Sequence, residues 1–289
     1  MKIKLSILLL LIAVFSFAQS NQFIYEYTFK MDSLNRDKSE TENMVLQTSP
    51  KGSKFYSQLR AVFDSTMMAT VASAKAMDGV RFDFTQLKRG KVGFEVSKTY
   101  PDYNKTSLKK TIGSTGLLLT TEQKINWKIT NEKDKVLDYN VQKATADWRG
   151  RKWVAWFATE IPIQDGPHAF SGLPGLIVQI EDTKGDHSFK LIATKKINVV
   201  HNENALSFKP KDIAVSEEKF RKFWVDYKKD PVKDMRKISS SSDISAPISV
   251  SVSFDGKTYS QDEMLKLVEK ERKEELQKVN NFLELDLYR

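Results

Sequence analysis

The sequence predicts an α+β fold: a largely antiparallel, curved β-sheet of half-barrel outline, with helices packed on one face and a helical segment at the C-terminus. Three observations carry this. Period-two alternation opens the segment after the leader, several short β-type runs fill the first two thirds, and the two amphipathic helical patterns lie in the last third. Strands followed by helices, with no regular β-α-β alternation, argue for an antiparallel sheet in one domain over residues 19–289.

The leader is read first. Lys2 and Lys4 precede an apolar run from Leu5 to Phe17, too short to span a bilayer, and Ser16-Phe17-Ala18 offers small residues for a signal peptidase. Residues 1–18 are therefore expected to be a signal peptide, with cleavage before Gln19 and a periplasmic or secreted product. The chain has no cysteine, which excludes disulfides, thiolate metal sites, a cysteine nucleophile and a lipoprotein anchor. No later run reaches the length of a transmembrane helix. With 46 Lys and Arg against 37 Asp and Glu the formal charge is +9, but the basic residues alternate with acidic ones, as in Glu269-Lys270-Glu271-Arg272. That is the pattern of a solvated face, and it argues against nucleic acid as a partner.

Phe23, Tyr25, Tyr27 and Phe29 share one face of the first strand. Further strands are expected at Met44–Thr48, Ser53–Leu59, Val92–Thr99 and Val141–Asp147. In Lys152–Thr159, Trp153 and Phe157 face one way and Trp156 the other, which suggests cover on both sides. Leu176–Ile180 and His187–Ala193 read as a hairpin around Glu181–Asp186. Between these runs, Met67, Val71 and Ala74 in Ala61–Met77 suggest a helix capped by Asp64 or Ser65; a methionine-lined copper or ligand site is the sharper alternative. Ser216 should cap a helix with Phe220, Phe223, Trp224 and Tyr227 on one stripe, ended by Asp230-Pro231. Ser239–Ser242 reads as a connector, Ile248–Phe254 as a strand entering a turn at Asp255-Gly256, and Ser260 with Glu263 as a capping box opening a helix to about Asn280.

Chemistry is sparse. There is no phosphate loop, nucleophile elbow, zinc helix or calcium loop. The histidines His168, His187 and His201 show no ligand spacing, so no metal or cofactor is assigned. Asp182 and Asp186 beside His187 admit a weak metal site, although Asp and Gly there suit a solvated turn. Ser171, His168 and an acid such as Asp165 are the nearest approach to a hydrolase.

One segment stands apart. Ile161 to Ile177 holds three prolines and three glycines between two apolar strands, so its backbone path is constrained. Gly172-Leu173-Pro174-Gly175-Leu176-Ile177 spells GLPGLI. With Gly150-Arg151, Ala155-Trp156-Phe157, Ile161-Pro162, Gly166-Pro167 and the closing Asn280-Asn281 with Leu283-Glu284-Leu285 it makes the chain resemble the GLPGLI family of exported proteins from Gram-negative bacteria. The resemblance implies an exported protein of uncharacterised function with no established enzyme activity. That family often has an aromatic and a basic residue where this chain has His168-Ala169, and commonly a cysteine near Val141.

Gly166, Pro167, Gly172, Pro174 and Gly175 are taken as the structural signature. Arg151, Trp153, Trp156, Phe170, Leu173 and Leu176 are the candidate binding residues: an apolar pocket with one cationic anchor for a carboxylate or phosphate. The expected function is a non-catalytic binding module for an apolar or amphipathic ligand. The alternatives are an accessory protein of an outer-membrane receptor or assembly, and a hydrolase.

Overall fold

The structure is a computed structural model, which describes residues 20–76, 88, 90–197, 212–240, 252–254 and 257–289. The expected signal peptide, His201, most of the Ile248–Phe254 strand and the Asp255-Gly256 turn lie outside these residues.

A twelve-stranded sheet forms the body, in the order β12-β6-β5-β4-β3-β2-β1-β11-β10-β9-β8-β7. Its strands are β1 (Ser20–Phe29), β2 (Glu40–Ser49), β3 (Gly52–Ser57), β4 (Phe94–Thr99), β5 (Lys105–Ile112), β6 (Thr115–Glu122), β7 (Lys128–Val136), β8 (Tyr139–Trp148), β9 (Arg151–Ala158), β10 (Leu176–Asp182), β11 (His187–Ile197) and β12 (Ile213–Val215). Every pairing is antiparallel except β12 with β6. The sheet is open: β7 and β12 are its two edges and do not pair with each other.

Alternation puts one row of large apolar groups on a single face. Phe23, Tyr25, Tyr27 and Phe29 of β1 are all buried, and cross-strand register continues the row through Met44 and Leu46, Phe55, Val96, Leu108 and Leu119. On the other side it runs through Phe189, Ile180 and Ala155. The Tyr27 ring stacks on Phe189 at 4.1 Å, and Phe55 meets Phe189 edge-on at 5.8 Å. Burial of each such ring contributes about 1.5–3 kcal/mol, the largest favourable contribution holding the sheet.

The four α-helices among the described residues follow the sheet's logic less uniformly. α1 (Gln58–Ala76) begins earlier than its apolar spacing suggests, because Ser57 ends β3 and caps the helix: its Oγ accepts from the Arg60 backbone N–H at 3.0 Å. Ser65, one of the two expected caps, lies inside the helix and bonds the Val62 carbonyl. The aromatic stripe forms α2 (Glu217–Lys229), capped by Ser216 and ending at Asp230; Phe220 and Trp224 are buried. α3 (Lys233–Ser240) occupies the start of the expected serine connector. α4 (Gln261–Lys278) opens on the Ser260–Glu263 capping box. A short pair, β13 (Val252–Phe254) and β14 (Lys257–Tyr259), precedes it.

The chain ends in a strap. Phe282 and Tyr288 stack at 3.8 Å, and Trp224 of α2 meets both rings edge-on at 5.3 and 5.1 Å. The outer face of β9 departs from expectation. Trp156 is only half-buried, with the Lys143 ammonium 5.8 Å above its ring in place of a second layer.

Candidate functional site

The signature loop closes over the sheet's apolar face through its own backbone. Gly172 N–H donates to the Gln164 carbonyl at 3.0 Å, and Ile177 N–H to the Asp165 carbonyl at 2.9 Å. Beneath it lies a buried charge pair. The Asp165 carboxylate meets Lys98 Nζ at 2.5 Å with both side chains fully buried, and also accepts from Ser53 Oγ, Tyr100 OH and the Gly166 N–H. Lys98 spends its remaining protons on the Gly166 and Phe170 carbonyls at 2.8 and 3.2 Å. Burial pushes the Lys98 ammonium down from its ordinary value, and Asp165 opposes that shift. A pair so fully hydrogen-bonded clamps the loop.

This arrangement leaves no triad. Ser171 Oγ donates to the Tyr103 carbonyl at 3.0 Å, Asp165 is saturated, and His168 shares no hydrogen bond with either among the described residues.

The signature glycines serve different needs. A Cβ on Gly175 would sit 2.2 Å from the Ala158 carbonyl oxygen, and one on Gly166 would sit 2.8 Å from the Ile177 Cβ. Gly172 has open space around it but a φ of +90°.

A second polar cluster surrounds Arg151. Its guanidinium reaches Asp182 at 2.7 Å and Asp186 at 3.3 Å, the Asn281 side chain at 2.7 Å, and the Phe282 carbonyl at 2.6 Å. Arg36 adds a second cation to Asp186 at 2.6 Å. Burial alone would raise the Asp186 carboxyl, but the two arginines outweigh it and hold it below the usual range. Asp182 and Asp186 are thus buried around a guanidinium instead of forming a solvated turn. Among the described residues no group of three or more His, Asp or Glu is placed to hold a metal ion.

His187 is locked in the same cluster. The Asn281 carbonyl can only accept, so Nε2 carries the proton and Nδ1 accepts from Tyr27 OH at 2.8 Å. Burial, reinforced by Arg151, pushes this imidazole down to about 3, so it is neutral.

The expected binding residues come together, but as core. Trp153, Phe170, Leu173 and Leu176 are essentially inaccessible, with Trp153 and Phe170 packed edge-on at 4.6 Å. Arg151 is spent on its carboxylates, and Trp156 points to the opposite face. Their apolar surface is consumed by each other.

Open space lies beside them. A cavity of about 280 Å³ separates the sheet's face from the helices and the strap. Tyr27, Phe29, Phe94, Leu108 and Ile112 form its floor, Trp224 and Tyr227 come from α2, Leu276 and Val279 extend from α4, and Phe282 and Tyr288 close it. Exposed Lys91 and Glu275 stand at the mouth.

Among the ionisable groups that line it, Lys110, Glu284 and His168 have displaced proton affinities. Burial lowers the Lys110 ammonium to about 8, with Glu284 opposing; Nζ donates to Tyr288 OH at 2.5 Å. Burial raises the Glu284 carboxyl to about 7, against Arg149 and Lys110; the nearest guanidinium nitrogen of Arg149 is 3.9 Å away. His168 is held well below its ordinary value by burial, then by Lys98, Lys110 and Arg149. Its ring lies edge-on to Phe94 at 4.9 Å, and its Nδ1 is buried with no hydrogen-bond partner.

Lys110 escaped sequence reasoning, and Glu284 entered it only within the Leu283-Glu284-Leu285 of the family resemblance, though traces of both were there. Leu108-Lys109-Lys110-Thr111-Ile112 places Lys110 on the apolar side of a period-two strand, and Glu284 interrupts the run Phe282-Leu283-Glu284-Leu285.

Residues 148–179, which include the signature loop, match the profile of a family described as a protein of unknown function, Porph_ging. No curated protein matches the chain. Among solved structures it is similar to PNGF-II in two crystal forms, P21 and C2, at 13% and 14% identity and a TM-score of 0.50 for both. These alignments cover 71% of this chain and 33% and 32% of the PNGF-II chains, so this protein spans about a third of their length. The likeness is one of fold: a mostly antiparallel open sheet with a few helices.

Proposed function

We propose that the protein is an exported binding module that holds an apolar or amphipathic ligand in the cavity between the sheet and the C-terminal strap. The observation that carries this reading is the cavity itself: about 280 Å³ of space, floored by aromatic and aliphatic side chains, whereas a second hollow, beside Arg149 and Arg151, is lined mostly by charged and polar groups. Protein cores pack to near-crystalline density, so a lined void of this size with polar groups gathered in it is the ordinary form of a ligand site. The signature loop supports the site by fixing His168 at its wall. The engagement of Ser171 and Asp165 elsewhere favours binding over hydrolysis. The accessory-protein alternative would use the free edge at β7, but Lys128, Glu132, Lys133, Asp134 and Lys135 stud that strand with the charges that discourage edge pairing.

The test is a filled cavity. Ile112→Trp places an indole in the void from a floor position. Native mass spectrometry of the protein taken gently from the envelope fraction should show a small co-purifying mass on the wild type and none on the variant, with thermal unfolding confirming that the variant folds. A wild-type mass free of any adduct, together with identical uptake of apolar probe dyes by both proteins, would overturn the proposal.

A further inference from the structure

Resting on the binding reading above, we infer that the ligand's polar end is a single carboxylate, seated between Lys110 and His168, and that its remainder is one apolar chain.

The charge argument starts from Lys110. Its ammonium projects from the sheet's apolar face into the cavity, and its one polar partner is the neutral Tyr288 hydroxyl at 2.5 Å. The rings of Tyr288 and Phe282 lie 4.7 and 5.4 Å from it, and no carboxylate is within ion-pair distance among the described residues. A half-buried cation without a close counter-ion is costly, and an anion brought by a ligand reduces that cost. Glu284 does not fill the role: burial raises its own carboxyl, and its nearest cation is Arg149.

The second anchor is His168. Its ring is 2% exposed, lines the same cavity and leaves Nδ1 without a partner. Buried polar atoms are nearly always satisfied, and the ring makes no hydrogen bond among the described residues, so a ligand group in the cavity can supply one at the ring nitrogen that faces it while the enclosed Nδ1 is left without a partner. No protein group fixes the tautomer, so either ring nitrogen is free to carry the proton and donate it. The charged groups acting on His168 include Lys98, Lys110 and Arg149 and no carboxylate, which favours an acceptor there.

These two anchors match a carboxylate, whose two oxygens take one charge-assisted bond from Lys110 and one from the imidazole. A phosphate monoester would bring a second charge for which the cavity offers no second unpaired cation among the described residues, Lys91 being paired with Glu40. The volume sets the rest: about 280 Å³ lies just under the range of roughly 300–1,000 Å³ typical of small-molecule sites, enough for a single chain and too little for a two-chain lipid. Phe29, Leu108, Ile112 and Leu276 give that chain an apolar bed.

Isothermal titration of the protein, from residue 19 onward, with decanoate, decanol and decyltrimethylammonium, each below its micellar concentration at neutral pH, separates head from tail. Decanoate is expected to bind about tenfold or more tighter than decanol, with the ammonium compound weakest. Lys110→Gln should bring decanoate to the level of decanol and leave decanol unchanged, which also reports that the variant is folded. His168→Asn, which tolerates the left-handed backbone at φ +51°, should weaken decanoate by a smaller factor. Equal binding of decanoate and decanol, or preference for the ammonium probe, would overturn the carboxylate inference while leaving the cavity reading in place. Failure of all three to bind would overturn the cavity reading itself. If Lys110→Gln does not fold, the three-probe comparison on the native protein decides alone.

Discussion

At Gly175 and Gly172 the same amino acid answers two different constraints, and substitution separates them. A methyl group on Gly175 collides with the Ala158 backbone at 2.2 Å, which no side-chain rotation relieves, whereas at Gly172 the space is open and only the φ of +90° resists. Gly175→Ala is therefore expected to cost about 3 kcal/mol or more and Gly172→Ala about 1–2 kcal/mol. Chemical denaturation of the two variants measures both. That these positions need glycine was legible in the sequence; which of them needs it for space and which for conformation was not, because Ala158 lies across a strand pairing.

Glu284 makes the other residue-scale prediction. Its carboxyl rises from 4.5 to about 7 in the folded protein, so the fold binds a proton that the unfolded chain releases over that range. The stability this contributes is complete below about 4.5 and is lost as pH rises through about 7. Lys110 runs the opposite way, from 10.5 down to about 8, and restores stability as pH climbs between those values. The difference in unfolding free energy between wild type and Glu284→Gln should accordingly fall between pH 4.5 and 7, by at most about 1.4 kcal/mol per unit, and level off above. A difference independent of pH would show that the carboxyl is not held in this way.

Elements differed in how plainly they announced themselves. β1 was visible from its four alternating aromatics, and α2 and α4 from their stripe and caps, because in each the local pattern and the tertiary contacts agree. β5 and β6 went unseen although Gly113-Ser114 between them is a two-residue turn with Gly113 at φ +62° and Leu108, Ile112, Leu117 and Leu119 flank it. Lysines and threonines at intervening positions diluted the alternation. β7 had no apolar alternation to read, being an exposed edge, and its turn into β8 puts Leu137 at φ +53°, a residue type that gives no warning of a left-handed bend. The strap was legible only as a motif, Asn280-Asn281, whose partners Arg151, Met31 and Lys30 are remote in sequence.

Arg151 is the strap's fastening, and its geometry matters beyond its charge. The fork reaches two carboxylates, an amide and a carbonyl together, which an ammonium does not reproduce. Arg151→Lys should leave the sheet folded but loosen residues 280–288, seen as faster amide hydrogen exchange there with little change in β1 or β11. Uniform loss of protection would mean instead that the cluster supports the whole fold.

For the whole molecule, the mostly antiparallel, open sheet was foreseen, and the pocket was placed too close to the signature loop. Aromatic and proline-glycine density marked where the chain is most constrained, and constraint here means a finished core: Trp153 and Phe170 fill space that a ligand would need. The cavity instead assembles from β1, β5, α2 and the continuous stretch of α4 and the strap, which are far apart in sequence, so no local pattern announced it.

The register of β1 also fixes an order of events in time. The first strand of the chain is a central one, hydrogen-bonded along Ser20–Phe29 to His187–Ile197, and Arg151 waits on residues 281 and 282. β1 therefore has only one of its two strand neighbours until His187–Ile197 has been made, and Arg151 lacks its strap partners until residues 281 and 282 follow. Contacts so distant in sequence form slowly. A chain that stays open until its late segments arrive can still be threaded through a membrane, as the export proposed above would require, and its closure brings core, strap and cavity into being together.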